Sequence, residues 1–266
     1  MKKMYVLGIS MIFLTIFSVV VNAAPVGNIA APAIMKSLLL TGDDEVKLGI
    51  IAAGEGDIVF DRKIKDEYGD VELSFYGSKI GVSLFDKAII YGLVGAGSAQ
   101  EEIDISGTKV EFETETDFAW GVGASVIAYE TKIDGFGNGI LRVGGDIKYR
   151  SAEPSVDKVT IGSVVYDLPN ALITDSSVEY NEFQTALGLS YQLDKFIPYM
   201  GVKFCGLDGD VKATLSGTEY KDSFEEEESV GMFVGTDILI GDSISLNVEG
   251  RFIDEEAISF GASIRF

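Results

Sequence analysis

Apolar and polar residues alternate with a period of two along most of the chain, and most cleanly at its C-terminal end. In the last segment Ile258, Phe260, Ala262, Ile264 and Phe266 share one face, while Ser259, Gly261, Ser263 and Arg265 share the other. Successive side chains of a β-strand point to opposite faces, so this pattern predicts a strand with one large apolar side and one small or polar side. One segment earlier, Ile244, Leu246, Val248 and Phe252 oppose Ser243, Ser245, Asn247, Glu249 and Arg251, and only Gly250 interrupts the apolar face. Val230, Met232, Val234, Ile238 and Ile240 oppose Gly231, Gly235 and Asp237, with Phe233 and Leu239 as exceptions. Further upstream, Pro198, Met200, Val202 and Phe204 oppose Tyr199, Gly201 and Lys203; Phe183, Leu187, Leu189 and Tyr191 oppose Gln184, Ala186, Gly188 and Ser190. Leu141, Val143, Ile147 and Tyr149 oppose Arg142, Gly144, Asp146 and Lys148. Segments around 46–60, 71–85, 88–99 and 115–130 carry the same period broken by glycine, as where Phe118, Trp120, Val122 and Val126 oppose Gly121, Gly123 and Ser125.

Which face is inside decides the class. A soluble sandwich or lipocalin turns its large apolar residues inward, whereas a membrane barrel shows them to lipid and keeps glycine, serine and paired charges within. Period alone leaves both open. The connections favour the barrel, because membrane barrels alternate short turns with long loops. Here 86–87, 134–138, 193–195 and 241–242 are short, and they alternate with 100–113, 151–177 and 207–229. The expected fold is therefore an all-β, transmembrane antiparallel β-barrel of about ten strands, with short periplasmic turns and longer acidic external loops. With both termini in the periplasm the count is even; eight or twelve remain open, since 159–166 could extend a hairpin or form a further strand. Phe266, an aromatic C-terminus ending an alternating strand, is the expected recognition signal for the barrel-assembly machinery.

The start of the chain sets the compartment. Lys2-Lys3, an apolar run over 4–21 and then Asn22-Ala23-Ala24 form a basic region, an apolar core and a small-residue cleavage site, so 1–23 is expected to be a cleaved export signal and 24–266 one barrel domain. No later stretch reaches the eighteen apolar residues of a helical span. The expected location is the outer membrane of a Gram-negative-type envelope, in contact with lipid and lipopolysaccharide.

Composition removes other classes. The formal charge of −21 repels nucleic acid and anionic lipid surfaces. The chain has no histidine, which deprives it of the commonest general base and metal ligand, so no catalytic site, cofactor or metal is expected. Cys205 is the single cysteine, excluding an internal disulfide, and an inert thiol is its expected state.

Three stretches resemble one family. Pro25-Val26-Gly27-Asn28 with Pro32 and Met35, the run FIPYMGVKF from Phe196 to Phe204, and Arg251-Phe252-Ile253-Asp254-Glu255 with terminal Arg265-Phe266 are similar to the opening, a late strand and the closing hairpin of the chlamydial major outer membrane protein porins; residues 141–157 share a weaker likeness. The family's members are longer and rich in cysteine, so their disulfide-linked envelope role does not carry over. The resemblance implies porin-like placement, passive diffusion of small solutes and, in porin fashion, a homo-oligomer.

If the small-polar face is the lumen, it presents Arg142, Asp146, Lys148, Lys203, Asp237, Glu249, Arg251 and Arg265. These could form an eyelet that selects solutes by charge and radius, or a salt-bridged filling that closes a narrow barrel. The latter would make the chain an envelope anchor, or an adhesin through its loops. A membrane-embedded hydrolase is disfavoured by the missing histidine. Glu101-Glu102, Asp208-Gly209-Asp210 and the acidic run over 225–228 match no complete calcium loop and are expected to be solvated. Gly92-Leu93-Val94-Gly95-Ala96-Gly97 departs from the phosphate-binding order G-x-G-x-x-G. Trp120, Tyr129, Tyr149, Tyr191, Phe204 and Phe252 are candidates for aromatic girdles.

Overall fold

The computed structural model describes residues 25–35, 48–62, 71–105, 108–134, 139–169, 173–215, 218–225 and 230–266. The expected export signal lies outside the described residues. After one helical turn, α1 (Ala31–Ile34), the chain forms strands β1 (Leu48–Arg62), β2 (Val71–Leu84), β3 (Ala88–Ile105), β4 (Thr108–Thr114), β5 (Asp117–Ile133), β6 (Gly139–Ala152) and β7 (Val156–Ile161). It continues through β8 (Val164–Asp167), β9 (Ile173–Gln192), β10 (Phe196–Leu215), β11 (Thr218–Glu225), β12 (Val230–Ile240), β13 (Ile244–Phe252) and β14 (Glu255–Arg265).

Ten of these strands close a ring. The antiparallel order β2-β1-β14-β13-β12-β10-β9-β6-β5-β3 returns to β2 through the β2–β3 pairing. The seam between β1 and β14 runs from Ile51 opposite Arg265 to Arg62 opposite Glu255, with a bulge between Val59 and Asp61. Phe266 prolongs it by exchanging both backbone hydrogen bonds with Ile50, at 2.7 and 3.2 Å. Closure leaves no wall strand with an unpaired edge, the condition for β-structure to cross hydrocarbon.

The wall is apolar outside, as the alternation predicts, and its inner face carries the buried polar and charged side chains together with a set of apolar ones. Ile80, Ile90, Phe118, Val122, Leu187, Met200, Val202 and Val234 are exposed on the outer face, Leu187 at 66%. Asp57, Ser245, Glu249 and Ser259 are buried on the inner face. Trp120, Tyr129, Phe204 and Phe252 also stand exposed outside, and the Trp120 and Tyr149 rings meet at 5.7 Å. A soluble β-protein would solvate the opposite face, so its alternative fails here.

At one end the strands join through short turns. Phe85, Asp86, Asp194 and Gly241 adopt positive φ, which a two- or three-residue reversal requires. At the other end the expected long loops are largely ordered sheet. Strands β3, β9 and β10 run on past the ring; β11 pairs with β10, and β4 pairs with β3 and carries the β7–β8 hairpin. Residues 159–166 thus extend a hairpin and add no wall strand. Glu101, Asp208 and Asp210 lie in strands, with Asp210 paired to Lys221 at 2.9 Å. Of the acidic run over 225–228, only Glu225 is among the described residues. Gly92 to Gly97 lies inside β3, where it offers no phosphate-binding turn.

Candidate functional site in the barrel lumen

All eight sequence-selected charged residues point into the barrel and are buried: Arg142, Asp146, Lys148, Lys203, Asp237, Glu249, Arg251 and Arg265. Period two places them there, since each shares a strand face with small residues. They do not form a single ring. They occupy successive levels of a lumen filled by three structures.

The first is the segment 25–35, whose Met35 lies toward the short-turn end, beside Arg265. Glu249 accepts hydrogen bonds from the backbone nitrogens of Val26 and Gly27 at 2.9 and 3.0 Å, and from the Tyr199 hydroxyl at 3.0 Å. Lys148 donates to the Pro25 carbonyl. Arg265 donates to the carbonyls of Pro32 and Met35 at 2.6 and 2.8 Å and pairs with Asp86 at 2.5 Å. Apolar contacts complete the seating. Val26 clusters with Ala186, Tyr199 and Phe233, while Ala30, Ile34 and Met35 belong to a buried cluster that includes Ile51, Ile89, Ile127, Ile197 and Leu239. Phe233 and Leu239, the two exceptions to the alternation of β12, are therefore inward residues that meet this segment or its cluster.

The second is an ionic network above it. Arg251 contacts Asp57 at 2.6 Å and Glu255 at 2.5 Å. Arg62 contacts Glu255 at 2.5 Å and Glu182 at 3.3 Å, and Arg150 also binds Glu182. Lys203 contacts Asp254 at 2.7 Å and Glu255 as well. Asp254 and Glu255 reach inward because Ile253 turns the chain at φ 93°, a conformation that β-branched residues rarely adopt. Cys205, fully buried, donates to Glu182 at 3.2 Å and lies 3.5 Å from the Arg62 guanidinium.

The third is an apolar layer toward the extended end, which includes Val59, Leu73, Phe75, Val178, Tyr180 and Leu207. The Arg150 guanidinium lies 5.1 Å from the centre of the Phe75 ring, joining this layer to the network below. Between the inserted segment and the wall lies a cavity of about 70 Å³, bordered by Glu55, Lys79, Tyr91, Asp146 and Asp237. Arg142 lies apart, paired with Glu130 at 2.6 Å and hydrogen-bonded to Gln192 at 2.8 Å.

Sequence reasoning missed several members of this site. Arg150 is in phase with Lys148, and Glu182 with Gln184, so extending the alternation by one step would have found both. Glu55 and Asp57 alternate through the glycine-broken β1. The inserted segment itself has no period to announce it.

The family described as Chlamydia major outer membrane protein matches residues 78–214, from within β2 to the end of β10. The chain belongs to this family. Among chlamydial relatives, the major outer membrane porin, serovar E, of Chlamydia trachomatis is 28% identical over 218 residues, covering 59% of this chain and 54% of that protein. The major outer membrane porin of Chlamydia muridarum is 25% identical over 237 residues, covering 64% and 57% respectively. The chain thus spans little more than half the length of these porins. Among solved structures, the outer membrane protease OmpT of Escherichia coli aligns over 83% of this chain and 94% of its own, at 11% identity and a TM-score of 0.35.

Proposed function

We propose that this chain is a porin-like barrel of the outer membrane that admits small solutes by passive diffusion, and that residues 25–35 in its lumen set the closed state. The observation that carries this reading is how the segment is held. It is not a wall strand, and polar groups of the wall grip its backbone at Glu249, Lys148 and Arg265. Such contacts can exchange for water, so withdrawal of the segment would open space along the polar inner face. Membership of a family with named porins supports the same reading.

Removal of 1–23 on export, both termini on the periplasmic side, assembly through recognition of Phe266, contact with lipopolysaccharide and a homo-oligomeric state belong to this proposal. So does the absence of catalysis, which rests on the missing histidine. Within it, Arg142, Asp146, Lys148, Lys203, Asp237, Glu249, Arg251 and Arg265 would act as lumen-lining charges.

A second reading is favoured by the ionic network and the apolar layer, which occupy the levels of the lumen above residues 25–35. On that reading the barrel is a closed envelope anchor or adhesin. Planar-bilayer recording separates the two. Discrete conductance steps from chain 24–266, more frequent in a chain starting at residue 36, support the porin; silence from both correctly folded samples supports the closed barrel.

A further inference from the structure

The sheet that stands beyond the ring has two edges among the described residues. One is β11, which pairs only with β10, and the other is β8, which pairs only with β7. Unpaired edges invite foreign strands, and charged residues along them are the usual deterrent. Along β11 the sequence sets Glu219, Lys221, Asp222 and Glu225. Along β8 it sets Val164, Val165, Tyr166 and Asp167, all of them exposed.

The backbone of β8 is open to a partner as well. Leu168 donates its N–H to the Asp157 carbonyl at 2.7 Å, so these two form a hydrogen-bonded pair of the β7–β8 ladder. Such pairs alternate with non-bonded ones along an antiparallel ladder. Tyr166 and Val164 therefore turn their backbone groups toward β7, while Val165 and Asp167 turn theirs outward.

The register states what a further strand would carry. Glu113, Lys158 and Asp167 form one row across β4, β7 and β8, and Glu111, Thr160 and Val165 form another on the same face. The first row alternates in charge, with Lys158 binding Glu113 at 2.9 Å, so its next member is basic. On the opposite face the row Phe112, Val159 and Tyr166 passes from packed, through buried, to exposed, and Ile161 and Val164 beside it are exposed too. Both rows on that face lack an apolar member on their outer side. The formal charge of −21 adds a long-range attraction for a basic partner.

We propose that the β8 edge is a docking site for an extended segment of another protein, in which a basic residue opposite Asp167 is followed by an apolar, a polar and an apolar one. The segment adds as an antiparallel strand. A second copy of this chain in the same membrane does not fit. Copies there are related by rotation about the membrane normal, which never reverses a strand that rises from the membrane, as antiparallel pairing requires. A parallel match would need β8 upright, whereas barrel strands tilt by about 35–45°. Docking at β8 is independent of whether the barrel conducts.

The probe is an acetylated and amidated octapeptide repeating Lys-Val-Thr-Val, labelled with a fluorophore and read by anisotropy against the detergent-refolded chain 24–266, with empty micelles as baseline. Saturable binding is expected. It weakens about tenfold when the lysine and threonine amides of the peptide are methylated, since hydrogen bonds to Val165 and Asp167 are lost while charge and apolarity stay. It weakens similarly when glutamate replaces lysine, and in Val165→Pro, which removes an outward N–H and leaves the β7 ladder intact. Should Val165→Pro fail to give a compact form that shifts on boiling, Val165→Lys keeps the backbone and repels the same peptide. Absence of saturable binding, equal binding by the methylated peptide, or binding unchanged in the folded variants overturns the proposal. So does a concentration-dependent dimer of the chain that Val165→Pro abolishes, which would make a second copy the occupant.

Discussion

Arg251 on β13 binds Asp57 on β1 at 2.6 Å, reaching across the whole width of β14. The pair spans the strand that closes the ring, so it ties the seam from within. Breaking a buried ion pair from one side leaves an uncompensated charge and costs about 3–5 kcal/mol. Arg251→Met is expected to lower the unfolding midpoint of the refolded barrel by roughly that stability, read by urea titration in lipid vesicles. The double variant Asp57→Asn with Arg251→Met should recover part of the loss, since neither charge is then stranded. A double variant no better than the single one would show that the pair acts through some other contact.

Glu249 fixes the inserted segment through two backbone amides. Charge-assisted hydrogen bonds are about twice as strong as neutral ones. Glu249→Gln should therefore weaken the seating by about 1–2 kcal/mol, a shift of roughly 5–30-fold in the open population. The measurement is the labelling rate of a Val26→Cys thiol by a polar reagent, in a Cys205→Ser background. An unchanged rate would remove Glu249 from the closure.

Two glycines of the same run should respond oppositely. At Gly95 an added Cβ would stand 1.8 Å from the Tyr76 carbonyl oxygen, a contact that backbone cannot relieve cheaply, whereas at Gly92 the nearest atom is 3.9 Å away. Gly95→Ala is expected to reduce the yield of the compact, heat-modifiable form severely, and Gly92→Ala to leave it near normal. Equal yields would mean that the β2–β3 pairing tolerates displacement at this point.

Leu187 and Val165 are both exposed, yet they face different surroundings. Leu187 sits in the ring at β9, and Val165 in the β7–β8 hairpin beyond it. A lysine facing hydrocarbon near the midplane costs about 2–4 kcal/mol, falling toward zero at the interface. Leu187→Lys should therefore destabilise the barrel in vesicles by about that amount, while Val165→Lys should be almost silent. Similar losses at both sites would move the hairpin into the lipid.

The ring is legible because hydrocarbon outside forces large apolar residues onto every second position of the wall strands, while the inner face is free to mix polar groups with apolar ones such as Phe75 and Phe233. Phe118 to Val126 and Ile244 to Phe252 show this directly, and the ten segments read from the sequence coincide with the ten wall strands. The extension beyond the ring reads as loop in the sequence because water reaches it, so nothing forces a period on Asp208 to Lys212 or on β11. Lys148 and Lys203 could be placed in the lumen by phase, but their partners could not be assigned. Contacts such as Lys148 to Pro25 and Arg62 to Glu255 join residues far apart in the chain, and sequence alone holds no record of such pairs. The inserted segment was invisible for the same reason: its grip is on backbone atoms, which every sequence has.

Strands β9 and β10 carry twenty residues each. At about 3.4 Å per residue each is about 68 Å long, and a tilt of about 45° leaves a rise of about 48 Å, against a hydrocarbon thickness of about 30 Å. The hairpin must therefore stand well clear of the lipid. Because that projection is hydrogen-bonded sheet, its height above the membrane is set by backbone geometry, and whatever approaches from that side meets a ridge of fixed stand-off whose side chains can change while its outline stays the same.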